Sequence, residues 1–296
     1  MTASIQAHED PVLFREAVNF TAAQTRFLPR LIEKDYFCTL LINYLTAADP
    51  SLVFKGGTCL AKVHAEFYRL SEDLDFVIPT PYDASRAQRR NLAVHLKEAV
   101  GRIEADLKTF RIVEPLLGAN NSTQYIAEIA YLSLLSNLEA SIKIEVGLRE
   151  PLLTPVYKGM ARTLLLNPIT GGPMVTAISV SCLSREEAMA EKLRAALSRR
   201  EVAIRDFYDI DYAVRRLDLD LQDPALLDLV RRKLSIPGNE PVDVSGGRLT
   251  ALRQQLTSQL KPVLRAQDFE DFDLESVFQK VAAVPSLLER AFHDRN

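Results

Sequence analysis

Asp73 and Asp75 lie two residues apart in Ser71-Glu-Asp-Leu-Asp-Phe-Val-Ile, a segment that alternates polar and apolar residues. In a strand, that spacing sends both carboxylates to one face. Like charges held so close repel unless a cation sits between them. A hard divalent ion is the usual solution, with water and substrate phosphates filling its remaining positions. A solvated strand edge accounts for the pair equally simply. Earlier in the chain, Lys55-Gly56-Gly57-Thr58 separates the strand-like Ser51-Leu-Val-Phe from the helical spacing of CLAKVHAEF. Free backbone N–H groups where a glycine turn opens a helix favour a phosphate, and Thr58 adds a hydroxyl. A lone Gly-Gly is more often an ordinary tight turn. A phosphate cradle followed by a carboxylate pair that can bind a metal is what nucleotidyl transfer requires.

A two-metal clamp needs a third carboxylate. Glu145 in Ser141-Ile-Lys-Ile-Glu-Val sits in an apolar strand, where a charge needs a reason. Ile142, Ile144 and Val146 face one side there, with Lys143 and Glu145 on the other, so a polar outer face is the competing explanation. Further on, Ala190-Glu-Lys-Leu-Arg-Ala-Ala-Leu precedes Ile204-Arg-Asp-Phe-Tyr-Asp-Ile. Lys192 offers a point charge suited to a moving phosphate, and Arg205, Asp206 and Asp209 fall within about a turn of one another. A solvated helix face with ion pairs explains these residues without any chemistry.

The elements that must position these residues follow from periodicity. Helical spacing runs from about Asp10 to Leu45, then come the strand, glycine turn and helix around Lys55 and the strand ending at Pro79. One long amphipathic helix is predicted from Ala84 to Leu107, followed by strands at Phe110–Val113, Gln124–Tyr131 and Ala140–Gly147. Strands bunched after a single helix imply a mixed sheet rather than a doubly wound parallel one. Glycine and proline in Asn167-Pro-Ile-Thr-Gly-Gly-Pro173 mark a seam, and one more strand is expected at Val175–Val180. Ser184 and Glu187 form a capping-box start for SREEAMAEKLRAALSRR. Later helices are expected near 223–234, 246–264 and 273–292. The predicted fold is α+β, a nucleotidyltransferase lobe over residues 1–175 with a mainly helical lobe over 176–296 that completes the cleft.

Composition is that of an average globular protein, 47% apolar and 25% charged over 296 residues. No apolar run approaches the roughly 20 residues of a membrane helix, and the N-terminus lacks the pattern of a secretory signal. A cytoplasmic protein with no membrane partner is expected. The net charge of −3 excludes a protein that coats nucleic acid by bulk charge, though not one with a local basic patch such as Lys192, Arg194, Arg199, Arg200 and Arg205. Cys38, Cys59 and Cys182 lie far apart among apolar neighbours and read as buried free thiols. His8, His64, His95 and His293 form no HxH or HxxxH arrangement, which argues against a zinc site.

Lys55-Gly-Gly-Thr, Arg69-x-Ser71-x-Asp73-x-Asp75, Glu191-Lys192-Leu-Arg-Ala and Arg205-Asp-Phe-Tyr-Asp209, in that order and spacing, resemble the AbiEii/AbiGii family of nucleotidyltransferase-like toxins, which includes the MenT-type toxins. Ile32-Glu-Lys-Asp-Tyr36 is similar to the family's opening segment, and the resemblance covers roughly residues 30–215. It implies a DNA-polymerase-β-like nucleotidyltransferase fold and the toxin of a toxin–antitoxin or phage-defence pair. It further implies transfer of nucleotides from a nucleoside triphosphate to RNA, notably the tRNA 3′ end, which stops translation. On this resemblance Asp73, Asp75 and Glu145 hold Mg²⁺ or Mn²⁺, and Lys192 and Asp209 join them as catalytic residues. Lys55, Gly56, Gly57, Thr58, Ser71, Arg205 and Asp206 bind the nucleotide. A cognate antitoxin protein is the implied partner. Two other readings stay open: transfer to a protein hydroxyl, Ser71 included, and a nucleotide-binding regulator without turnover.

Overall fold

The computed structural model describes residues 7–293. Contacts divide the chain into two units. One comprises Met1–Leu152 with Val156–Leu183, and the other Leu153–Pro155 with Ser184–Asn296.

The first unit begins with α1 (Pro11–Thr25) and α2 (Pro29–Ala48). Asp10 caps α1 by accepting from Val12 and Leu13 N–H, and Pro11 occupies the first position, where a missing N–H costs nothing. α2 is buried on nearly every side, so its charges need partners. Lys62, fully buried, places its Nζ 2.6 Å from Asp35 Oδ1 and donates to Thr39 Oγ1 at 2.7 Å. The other Asp35 oxygen accepts from the Thr163 hydroxyl and the Leu164 N–H. Glu33 accepts from Ser133 Oγ and Leu134 N–H, both at 2.7 Å, which fixes the turn after β4.

Seven strands form one mixed sheet: β1 (Val53–Lys55), β2 (Leu74–Val77), β3 (Phe110–Ala119), β4 (Gln124–Leu132), β5 (Glu139–Gly147), β6 (Tyr157–Ala161) and β7 (Ile178–Cys182). Their order is β3-β4-β5-β2-β1-β7-β6. The β2–β5 and β1–β7 pairs are parallel and the others antiparallel. One face packs Phe54, Phe76, Tyr125, Ile129, Ile142, Ile144 and Val146 into the core with α1 and α2, where Phe37 stacks on Tyr131 at 4.1 Å between ring centroids. The other face carries the polar partners in the alternation, and the candidate site lies there.

Between β1 and β2 the chain runs through α3 (Gly56–Cys59) and then a π-helical turn, Leu60–His64. The region expected as one helix from Ala84 to Leu107 is three short ones, α4 (Arg86–Leu92), α5 (Val94–Gly101) and α6 (Ile103–Asp106). Breaks at Ala93 and Arg102, both with ψ near zero, turn the axis so that Leu96, Val100 and Ile103 all reach the core. β6 was not expected, because Tyr157-Lys-Gly-Met-Ala lacks β-branched residues and contains a glycine.

The second unit contains α7 (Arg185–Ser198), α8 (Ile204–Arg216), α9 (Pro224–Leu234), α10 (Gly246–Gln255), α11 (Ala266–Glu270) and α12 (Leu274–His293). The helix expected over 246–264 ends its α-helical part at Gln255 and continues as π and 3₁₀ turns. Ser184 caps α7 through Glu187 N–H, but the Glu187 carboxylate does not close the capping box. It is fully buried, accepts from Leu153 and Thr154 N–H, and lies 2.8 Å from the buried Lys233 ammonium. Among the described residues no helix is long and apolar enough to cross a membrane.

Candidate active site

Register brings the predicted residues of the first unit together. Lys55 on β1 pairs with Asp75 on β2, and Asp75 pairs with Glu145 on β5. Paired residues point to the same face, so these three side chains form a row across adjacent strands, each step about 4.8 Å. Asp73 stands one residue ahead of β2, at a bend, so the pleat alone does not aim its carboxylate. Thr58 sets its place instead by donating its hydroxyl to the Asp73 carbonyl oxygen. Ser71 lies in the irregular stretch just before and is half-buried.

The glycines of the turn are required for two separate reasons. Gly56 has φ +75°, and a Cβ there would overlap the Asp75 carboxylate. A Cβ on Gly57 would overlap the guanidinium of Arg69, which is buried beneath the turn. No side-chain hydrogen bond caps the start of α3, so its first backbone N–H groups are not engaged that way.

Lys143 was not among the predicted site residues, yet its Nζ donates to Glu145 Oε2 at 2.8 Å. Gln124 donates to the other Glu145 oxygen at 2.7 Å. Burial pushes the Glu145 carboxyl up, but the Lys143 ammonium, helped by Gln124 and Lys55, outweighs burial and holds it below the ordinary carboxylate range. The hydrogen bond to Glu145, with the charges of Asp73 and Asp75 behind it, raises the Lys143 ammonium. Its position two residues before Glu145 on the same strand face was the available signal. Asp75 and Glu145, with Lys55 and Lys143 as counter-charges and a turn that a Cβ would fill beside them, are residues that could hold a hard divalent cation.

In the second unit the predicted residues also meet. Lys192 on α7 lies 2.7 Å from Asp206 and 2.9 Å from Asp209 on α8, all three largely buried. Arg199 approaches Asp206 at 3.6 Å, and Arg205 donates its Nε to the Gln259 carbonyl at 3.3 Å.

The mixed sheet thus bears a glycine turn beside the paired Asp75 and Glu145. The family model described as "Nucleotidyl transferase AbiEii toxin, Type IV TA system" matches residues 40–284, and the chain belongs to that family. The family is one of toxins from type IV toxin–antitoxin systems, which brings a nucleoside triphosphate substrate and an antitoxin partner. Among solved structures, the chain is similar to MenT4, a nucleotidyltransferase toxin of Mycobacterium tuberculosis, at 19% identity over 98% of both chains and a TM-score of 0.49. It is also similar to JHP933 from Helicobacter pylori, at 15% identity over 88% of this chain and 92% of that one, with a TM-score of 0.48. No curated protein sequence matches it.

Proposed function

We propose that this toxin transfers a nucleotide from a nucleoside triphosphate to RNA, at the tRNA 3′ end, and so blocks translation. The observation that carries the chemistry is the row Lys55, Asp75, Glu145 beside a turn that only glycine fits. The backbone N–H groups of Gly56 and Gly57 receive the triphosphate, and Thr58 braces the turn against Asp73. Asp73, Asp75 and Glu145 would hold Mg²⁺ or Mn²⁺. Bound there, the ion supplies positive charge against the phosphates and makes the acceptor hydroxyl easier to deprotonate.

An acceptor ribose hydroxyl attacks the α-phosphorus, losing its proton as the new P–O bond forms. The bond to the bridging oxygen breaks in line, and pyrophosphate leaves. Little covalent chemistry falls to the protein, so its work is positioning and charge compensation. Lys143 holds the Glu145 carboxylate in place and offsets its charge. Lys192, held by Asp206 and Asp209, is assigned to offset phosphate charge, with Ser71 and Arg205 as nucleotide contacts.

The test incubates purified protein with Mg²⁺, each α-³²P-labelled nucleoside triphosphate and total RNA, followed by a denaturing gel. The expected result is label in the tRNA band that disappears in Asp75→Ala and Glu145→Ala. Folded variants retaining near-wild-type transfer would sink the assignment of the site. Label on protein instead of RNA would replace the acceptor and keep the chemistry.

A further inference from the structure

Cys59, His64 and Cys182 look unrelated in sequence, but one thiol sulfur, one imidazole nitrogen and the second sulfur lie within 4.8 Å of one another. Two features of the backbone bring them there. Cys59 ends α3 and His64 ends the π-helical turn. Five residues of α-helix, at about 100° each, leave the second side chain some 140° away from the first. Closure of the wider turn, with Ala65 N–H donating to Leu60 C=O at 2.8 Å, carries His64 back toward Cys59. The parallel pairing of Phe54 with Cys182 then delivers the second thiol from β7.

The surroundings are those of a ligand set rather than of idle thiols. Both cysteines are buried, at 1% and 0% exposure. His64 Nε2 lies 3.0 Å from the Leu183 carbonyl oxygen. Donation there fixes the ring tautomer, as a backbone carbonyl does behind most metal-binding histidines.

We propose that Cys59, His64 and Cys182 form a binding site for a thiophilic divalent cation, Zn²⁺ by ligand chemistry, separate from the carboxylate site. Two sulfurs and an imidazole suit Zn²⁺, whereas Mg²⁺ takes oxygen ligands. Tetrahedral Zn²⁺ places such atoms roughly 3.6–3.8 Å apart, so a contraction of about 1 Å closes the set. Water fills the fourth position on the half-buried His64 side. Loading releases the two thiol protons to solvent. Since Cys59 follows Thr58 directly, the ion staples β7 to the run that carries the glycine turn.

The test uses the untagged full-length chain, purified under reducing conditions without chelator. Elemental mass spectrometry is expected to find close to one zinc per chain. The chelated protein, titrated with Co²⁺, should develop thiolate-to-metal charge transfer and the visible bands of a tetrahedral centre. Cys182→Ser and His64→Ala should each weaken Co²⁺ binding, read at the thiolate band, at least about tenfold, while Cys38→Ala and Asp75→Ala leave that band unchanged. Absence of the Co²⁺ thiolate band in the wild-type chain would overturn the proposal, whatever the variants do. So would its loss in Asp75→Ala, or thiol titration showing Cys59 and Cys182 joined as a disulfide in the reduced preparation. None of these readouts depends on nucleotidyl transfer, so the two assignments fail separately.

Discussion

Gly56 and Lys143 make the site's demands concrete at the scale of single residues. Left-handed backbone costs a non-glycine residue about 1–2 kcal/mol. Gly171 has φ +71°, and a Cβ added there would meet nothing within 4 Å, so Gly171→Ala should lose about that and no more. Gly56→Ala carries the same strain and also collides with Asp75. Its urea midpoint should fall further than that of Gly171→Ala, and transfer should vanish. Equal midpoints would mean the turn yields without disturbing the carboxylate. Glu145 offers a second check. Its folded-state pKa is depressed, so its contribution to stability is complete above the unfolded carboxyl's pKa and disappears as pH falls through the folded value. Lys143→Gln removes the leading downward influence, and ¹³C carboxyl titration should show Glu145 protonating at higher pH. An unmoved titration would show that Lys143 does not hold it. Asp75 and Glu145 were legible from alternation and from charge in an apolar strand. Lys143 was visible as a same-face neighbour, but its bond to Glu145 needed coordinates.

Among the elements, α2 shows how a sequence hides structural work inside a motif. Ile32-Glu-Lys-Asp-Tyr reads as the opening of a family pattern, while its acids anchor distant backbone: Glu33 at 133–134 and Asp35 at 163–164 and Lys62. Removing one member of a buried ion pair strands the other charge at a cost of about 3–5 kcal/mol. Asp35→Ala and Lys62→Met should each approach that cost, and the double variant should lose far less than their sum. Additive losses in denaturant melts would mean the two are not coupled. Periodicity gave β4 and β5 well, since both alternate cleanly, but only the first four residues of β3, which runs on through Pro115 to Ala119. It failed where backbone turns override side-chain pattern: at the two breaks that divide 84–107, at the π-helical turn after Cys59, and along glycine-bearing β6. The cysteine–histidine cluster escaped for that reason, because a five-residue spacing has meaning only if the helix is known to widen.

For the molecule as a whole, a net charge of −3 leaves RNA attraction to local groups. If RNA is the acceptor, phosphate contacts release counterions, and log apparent affinity should fall linearly with log salt by about 0.7 per phosphate engaged on a single strand. The transfer assay repeated across sodium chloride concentrations reads that slope, and a flat response would count against a nucleic-acid acceptor. Composition and apolar run length already excluded a membrane-spanning helix, and the bunching of strands after the predicted helix pointed to the mixed sheet. The path of the chain between its units was not legible, because Leu153–Pro155 carries no composition shift to mark it.

That path has a consequence for inheritance. The backbone leaves the first unit after Leu152, spends Leu153–Pro155 in the second, where Glu187 receives the Leu153 and Thr154 N–H groups, and returns to lay down β6 and β7 before departing for good. Neither unit is therefore a single uninterrupted stretch of gene. One crossover cannot exchange a whole unit with a relative, so sheet and helices are expected to have diversified by substitution in place rather than by shuffling.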